Sequence, residues 1–439
     1  MLFSLTVGCS STPHFRDACV PLALVLAALA LAACGRTEMV GLDGRSSVNG
    51  GATTAAAATA GSPASGGTVA AGGTSQQAIG GGGTISAGGS KAAVAVGVSA
   101  GSAQTCALLS DGSVRCWGYF YGLAPVAVSG ISQAVALSVG SDGGESMSGN
   151  SHICALLVGG SVTCWGNNSQ GQLGDGTIDF AKTPVSVVGL TAAVAVSAGV
   201  GHTCAVGADG SVSCWGDNSL GQLGDGTTTS SSTPVTVVGL QGAVAMSAGS
   251  SHSCALFGDG SARCWGGRGS GVLGDVLQVG QSSTPVIVDL SAVVAISAGW
   301  EHTCAVVQDG SVHCWGFVVM DTPNGYMGPT SPTHTVPGIA QAIGISAGMY
   351  HRCALLADGS IDCWGSDYYG QLGDGPTVST ASLVNVSGIT QAIAVAAGGS
   401  YTCALLGDGS VQCWGDNTYG QLGDGTTKQR SQPVPVQGL

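Results

Sequence analysis

The sequence predicts an all-β chain folded as a seven-bladed β-propeller, and three observations carry that reading. A cysteine, nine residues and then Cys-Trp-Gly recur seven times, with successive first cysteines 48, 50, 50, 50, 49 and 50 residues apart. So regular a period marks one supersecondary unit repeated along a stack or a ring. The apolar stretches inside each copy are short, often alternate, and are interrupted by Gly, Asp-Gly or Pro, as in "AVAVSAG" and "PVSVVGL". That is the pattern of many short strands. The repeat region also opens at "AAVAVGVSAG" with no "PV" strand before it and stops at "QPVPVQGL" with no "AVAV" strand after it. If "PVxV" and the next "AVAV" share a sheet, the last strand of the chain completes the first blade. The expectation is a ring of four-stranded antiparallel blades, closed by pairing of the C-terminal strand with the N-terminal blade, which leaves no long sheet edge exposed.

One unit, Ala193 to Leu240, divides into strands "AVAVSA", "HTCAV", "SVSCWG" and "PVTVV". The second and third are joined through Ala208-Asp209-Gly210, a three-residue loop with Gly at the left-handed position. Counting outward sets Cys204 opposite Cys214. Opposed residues of a close, non-hydrogen-bonded pair reach the separation a disulfide needs, and a slip of one residue would send the two sulfurs to opposite faces. The same count predicts Cys106-Cys116, Cys154-Cys164, Cys204-Cys214, Cys254-Cys264, Cys304-Cys314, Cys353-Cys363 and Cys403-Cys413. Each closes a loop of about ten residues, worth about 2–3 kcal/mol by chain entropy. Zinc is the competing use of paired cysteines, but structural sites favour Cys-x2-Cys spacing with further ligands. Each Trp after the second cysteine points to the opposite face and is read as packing. His152, His202, His252, His302 and His351 each stand two residues before a first cysteine, a repeated place that suits a structural hydrogen-bonder. The "GDNSLGQLGDGT" loops read as turns; they lack the dense acidic spacing of strong calcium loops, and calcium stays open there.

Ahead of the repeats, Val20 to Ala33 is an apolar run of signal-peptide length, short for a membrane span. It ends in Leu31-Ala32-Ala33-Cys34-Gly35, which resembles a bacterial lipobox with Cys34 as the lipidated residue; an ordinary secretory signal is the alternative. The expected organisation is a signal peptide over residues 1–33, a Gly/Ala/Ser/Thr-rich tether over 34–90 that has too few large apolar side chains to fold, and the propeller over 91–439. Export also supplies the oxidising compartment that disulfides require. The expected location is the bacterial cell envelope, as an outer-membrane lipoprotein, periplasmic or surface-exposed.

With a net charge of −13 and only 11 Lys plus Arg, the chain offers no basic patch for phosphate-rich partners, so no nucleic acid is expected. Acids sit in turns, only three Glu occur, and no Ser/His/Asp arrangement stands out, so no catalytic residue, metal ligand or cofactor is assigned.

The stretch "GHTCAVGADGSVSCWGDNSLGQLGDGT" resembles the repeat of the regulator of chromosome condensation family, seven times over Ala92 to Leu439. The resemblance implies a seven-bladed propeller with strand-exchange closure; the cysteines are a departure that suits an exported member. Family roles include nucleotide exchange on a nuclear GTPase with chromatin binding, ultraviolet photoreception in a plant member, and inhibition of β-lactamase by a secreted bacterial member. The last is the nearest precedent by compartment. Photoreception would use Gly-Trp-Arg-His-Thr motifs, of which only "GWEHT" at Gly299 to Thr303 comes close.

In such a ring the repeated residues build the scaffold and deviations carry recognition. Blade one replaces the consensus loop with Tyr119 to Ala124, and blade five with Phe317 to Thr335. Exposed aromatics and Met anchor protein interfaces. The expected contact residues are Tyr119, Phe120, Tyr121, Phe317, Met320, Tyr326 and Met327. The function expected is a non-enzymatic, monomeric binding module for an unidentified protein or envelope ligand, touching membrane only through its lipid anchor. The alternatives are a structural surface lipoprotein without a single partner and a hydrolase using the central channel.

Overall fold

The computed structural model describes residues 71–72, 93–141, 151–267, 269–275, 280–319, 327–375 and 383–439. These lie in the compact unit Ser65–Leu439. The signal and lipidation assignments, Cys34 included, and all of the tether except residues 71–72 fall outside the described residues.

Seven antiparallel sheets, each with four strands drawn from one contiguous repeat, form the blades. Blade three shows the pattern: Ala193–Ala198 innermost, then His202–Gly207, Val212–Gly216 and Ser231–Thr236 at the outer edge. The other blades begin at Ala95, Ala134, Ala243, Val293, Ala342 and Ala392. Ala71–Gly72 adds a short parallel pairing to Ile296–Ser297 on the inner edge of blade five.

The hairpin register is as expected. Cys204 pairs with Cys214 and Thr203 with Trp215, and Gly210 closes the turn at φ +76°. The hydroxyl and amide of Ser211 both donate to Asp209, which holds that turn. All seven disulfides form across opposed pairs, with Cα atoms 4.0–4.1 Å apart.

The core lies between blades. Because successive side chains of a strand face opposite ways, the cysteines of each blade face the next blade and its Trp faces the previous one. Between blades three and four, Cys204, Val206, Val212, Cys214 and Leu223 pack on Met246, Ala255 and Trp265. Six of the seven Cys-Trp-Gly tryptophans are at most 1% exposed and Trp364 is 6% exposed, so these large side chains are seam filler. Small residues line the inner strands, and each seam up to blades six and seven carries a serine hydroxyl accepting the amide of the neighbouring inner strand, from Ser99 with Val139 to Ser346 with Ala397.

Closure takes a different route from strand exchange. The last strand, Arg430–Pro435, pairs with Val411–Gly415 of its own blade, and blade one is completed by its own Gly122–Ala127. A "PVxV" strand and the "AVAV" strand after it therefore belong to neighbouring blades, and the chain crosses from the outer edge of one to the inner edge of the next. Blade seven instead meets blade one through side chains and loops. Trp117 Nε1 donates to the Gln421 carbonyl, Thr105 lies against Tyr401, Arg115 donates to the Gly438 carbonyl, and a shared apolar cluster spans Ala95 to Leu439.

Candidate functional site

The loop that follows each Cys-Trp-Gly strand is built from its own side chains. In blade three, Asn218 Oδ1 accepts the Leu223 amide, and Asn218 Nδ2 donates to Asp225 and to the Thr227 and Thr229 carbonyls. Leu223 is driven into the seam, fully buried. The Gln222 side chain ties the loop to Leu220 and Asp217, while its carbonyl accepts Trp265 Nε1 and Ser253 Oγ from blade four. Gly224, at φ +70°, stands where a Cβ would lie 2.6 Å from the Trp265 ring nitrogen, so only glycine fits beneath that indole. The Gly-Gln-Leu-Gly signature is thus a clamp on the next blade.

The histidines complete that clamp. His152, His202, His252 and His351 each meet a hydroxyl of the following blade at 2.6–2.9 Å: Thr203, Ser253, Thr303 and Thr402. Each of those hydroxyls donates to a carbonyl of the blade that supplied the histidine. Its proton is therefore committed, and Nε2–H of the histidine is the donor. Burial holds His152, His252 and His351 down at about 3 and His202 at about 4, so the rings are neutral spacers rather than acid–base groups.

Blades one, four, five and six depart from the clamp; blade four keeps only the carbonyl, supplied by Val272. In blade one, Tyr121 replaces the missing motif: its hydroxyl accepts Trp165 Nε1 at 2.7 Å, and the half-buried ring packs under the seam. Between blades five and six the threonine is replaced by Arg352, 1% exposed, whose Nη2 donates to the Phe317 carbonyl. Burial lowers this guanidinium to about 9, and its Nε and Nη1, like His302 Nε2, are buried without a hydrogen-bond partner. In blade six the loop asparagine is replaced by Asp367.

The loops after the first and third strands of each blade open on the same face of the ring. Around the channel mouth this face carries Trp300 edge-on to Tyr350, ring centroids 5.0 Å apart. At its rim Tyr119 meets Phe120 at 4.3 Å and Tyr419 of blade seven at 5.2 Å, and Phe120 approaches Phe180 of blade two at 6.1 Å. Tyr368 and Tyr369 occupy the same loop in blade six. Phe120, Phe180 and Tyr368 are 65%, 56% and 73% exposed, so an aromatic arc in ring contact runs over blades seven, one and two, and blade six adds exposed tyrosines in the same loop.

Of the residues expected to make contacts, Tyr119 and Phe120 are in this arc. Tyr121 serves the seam, and Phe317 is half-buried with its carbonyl engaged by Arg352. Met320 and Tyr326 lie outside the described residues, and Met327 begins the outer strand Met327–Thr335. Phe180, Tyr368, Tyr369 and Tyr419 sit in loops that keep the Gly-Gln-Leu-Gly signature, so loss of that signature does not point to them. Their signal was a large aromatic at a position the fold leaves exposed.

The central channel is lined mainly by small residues, among them Ala100, Ala198, Ala248, Ala298, Ala347 and Ala397, with Trp300 and Met349 and, among the described residues, no acid or base. Among the described residues no group of three or more His, Cys, Asp or Glu is gathered as a metal site, and no helix is long and apolar enough to cross a membrane.

Two models of the regulator of chromosome condensation (RCC1) repeat match the chain, one at residues 159–206, 209–256, 358–405 and 408–439, the other at six segments between 95 and 421. Among solved structures, human WBSCR16 superposes with a TM-score of 0.62 at 22% identity, covering 72% of this chain and 84% of its own. Prp20p from Saccharomyces cerevisiae, described with its binding properties to Gsp1p and histones, gives 0.57 at 22% over 69% and 80%. Yeast RCC1 (Prp20) bound to Kap60 gives 0.61 at 18% over 82% and 91%. At these identities the likeness is one of fold. No curated protein matches the sequence.

Proposed function

This chain belongs to the regulator of chromosome condensation (RCC1) repeat family, and from that premise we propose that its propeller is a non-enzymatic protein-binding module that grips its partner with the aromatic face. One observation carries the reading: Tyr and Phe side chains gather on one face, in ring contact across blades seven, one and two, with the exposed Tyr368 and Tyr369 in the same loop of blade six. Large exposed aromatics grouped on one face are what interface centres are made of, and a contiguous apolar patch on a soluble surface marks an interaction site. The yeast neighbours described with Gsp1p, histones and Kap60 offer a precedent for a protein partner, but not its identity. The acidic balance of the chain disfavours nucleic acid. Among the described residues the channel wall, mostly alanine and glycine, supplies no general acid or base, which disfavours the hydrolase alternative.

The module is displayed in this reading on the bacterial outer membrane through lipid on Cys34, with residues 34–90 as a spacer. The lipobox-like Leu31-Ala32-Ala33-Cys34 and the seven disulfides support export. Replacing Phe120, Phe180 and Tyr368 together by Ser should leave thermal unfolding unchanged and abolish capture of the partner recovered with the wild-type protein. Capture that survives the triple change would move the site off this face. Labelling with a clickable palmitate analogue tests the anchor separately: the wild type should label and Cys34→Ser should not.

A further inference from the structure

Blade six differs from its sisters at one atom in the loop clamp, and we propose that this difference makes a binding site for a divalent cation of the calcium type, held between Asp367 and Asp374. The sister blades define the seat. Asn168, Asn218 and Asn417 each accept a leucine amide on Oδ1, at 2.9, 2.9 and 3.0 Å. Each then aims its Nδ2 at a cage of oxygens. The carboxylate seven residues on lies at 3.2, 3.1 and 3.0 Å. The carbonyl nine residues on lies at 3.2, 3.2 and 3.0 Å. In blades three and seven a further carbonyl eleven residues on completes it. One amide group satisfies several acceptors.

In blade six Asp367 takes the same seat, with Oδ1 accepting the Leu372 amide at 3.0 Å. The place of the amide nitrogen therefore falls to a second oxygen, Oδ2. Asp367 is 0% exposed, and both its Oδ2 and Asp374 Oδ1 are buried without a hydrogen-bond partner. A second change accompanies it in the sequence. Thr177, Thr227 and Thr426 donate both amide and hydroxyl to the cage carboxylate of their blades. At the corresponding place in the sequence blade six carries Pro376, which lies outside the described residues and is a residue with no amide hydrogen and no hydroxyl. The change to Asp367 thus replaces the amide donor of this cage with a second carboxylate, and two of its oxygens are left without a donor.

Buried carboxylate oxygens without donors call for a positive charge. Burial, with the Asp374 charge adding to it, pushes Asp367 up to about 6. The donors are hard oxygens, and calcium accepts them in irregular number, filling the remaining positions with water and carbonyls, whereas magnesium insists on a near-octahedral shell. Two carboxylates place the affinity at about 10⁻⁴–10⁻³ M, the weak end of calcium sites. Tyr368 and Tyr369 adjoin Asp367, so an ion there stiffens the loop that carries them.

Terbium luminescence excited through tyrosine, followed on the oxidised full chain, tests the site. The wild type should give a signal displaced by millimolar calcium, and its unfolding temperature should rise in calcium relative to chelator. Asp367→Asn restores the amide of the sister blades; it should fold at least as stably in chelator, lose calcium dependence, and bind terbium about tenfold or more weakly. Asp374→Asn removes the partner oxygen and should weaken terbium to a similar degree. Terbium binding that survives in both variants, or a wild type indifferent to calcium, overturns the assignment. So does a stability that rises as pH is lowered through about 6 and ignores calcium, which would give the pair a shared proton instead.

Discussion

The histidine two residues before the first cysteine of blades two, three, four and six shows how a single side chain joins two blades. Its Nε2–H reaches a hydroxyl of the next blade, and that hydroxyl returns its own proton to the first blade. The geometry works only with a neutral ring. An unfolded histidine titrates near 6.5, whereas His152, His252 and His351 are held at about 3 in the fold. Between those values the unfolded chain takes up protons that the folded chain refuses, so stability falls as pH drops below about 6.5. Each such histidine contributes a slope of about 1.4 kcal/mol per pH unit. Urea midpoints measured from pH 7 to pH 4.5 should decline steeply. His202→Gln, the residue that blade one carries as Gln104, should keep most stability at pH 7 and make the decline shallower. A midpoint independent of pH across that range would mean the rings are not neutral spacers.

At the scale of the element, the stapled hairpin is the unit that repeats. Its turn, its register and its disulfide form one argument: Asp-Gly fixes the loop, the loop opposes the cysteines, and opposition lets the sulfurs meet. Cys204→Ala with Cys214→Ala should lower the stability of blade three by about 2–3 kcal/mol, read as faster hydrogen exchange in Ala193–Thr236 with the distant blades unaffected. Exchange that speeds up uniformly around the ring would instead make the propeller a single cooperative unit. These features were legible because each depends on neighbours in sequence. The clamp was only half legible. Gly-Gln-Leu-Gly could be recognised as a motif, but that the Gln222 carbonyl serves Trp265, 43 residues away, is a contact between blades. Tyr121 shows the same limit: its aromatic ring suggested an interface, and only the seam revealed that its hydroxyl replaces a lost carbonyl.

For the whole molecule the decisive feature is how the ring shuts. With each blade built in phase from one repeat, the last strand stabilises blade seven and only its flanking residues touch blade one. Removing residues 430–439 should therefore strip hydrogen-exchange protection first from Gln412 and Cys413, which pair with Pro435 and Val434. The inner strand Ala95–Ala100 should lose protection only as the seam loosens. Prompt and equal loss at Ala95 would restore the strand-exchange route. Ring geometry also decides which aromatics meet. Tyr119 and Tyr419 are 300 residues apart in the chain yet 5.2 Å apart at the rim, because the first and seventh blades are neighbours only in a closed circle.

What the sequence alone determined is local and periodic: seven units, four strands in each, the cysteine pairing, and the tryptophan facing away from it. These follow from strand alternation and turn chemistry within about twenty residues. What only the tertiary structure decided is everything that crosses a seam: the route of closure, the histidine relay, the unmatched Arg352 and Asp367, and the side of the ring on which the aromatics gather. Those depend on partners supplied by the adjoining blade, and no spacing within one repeat encodes the surroundings that its neighbour provides.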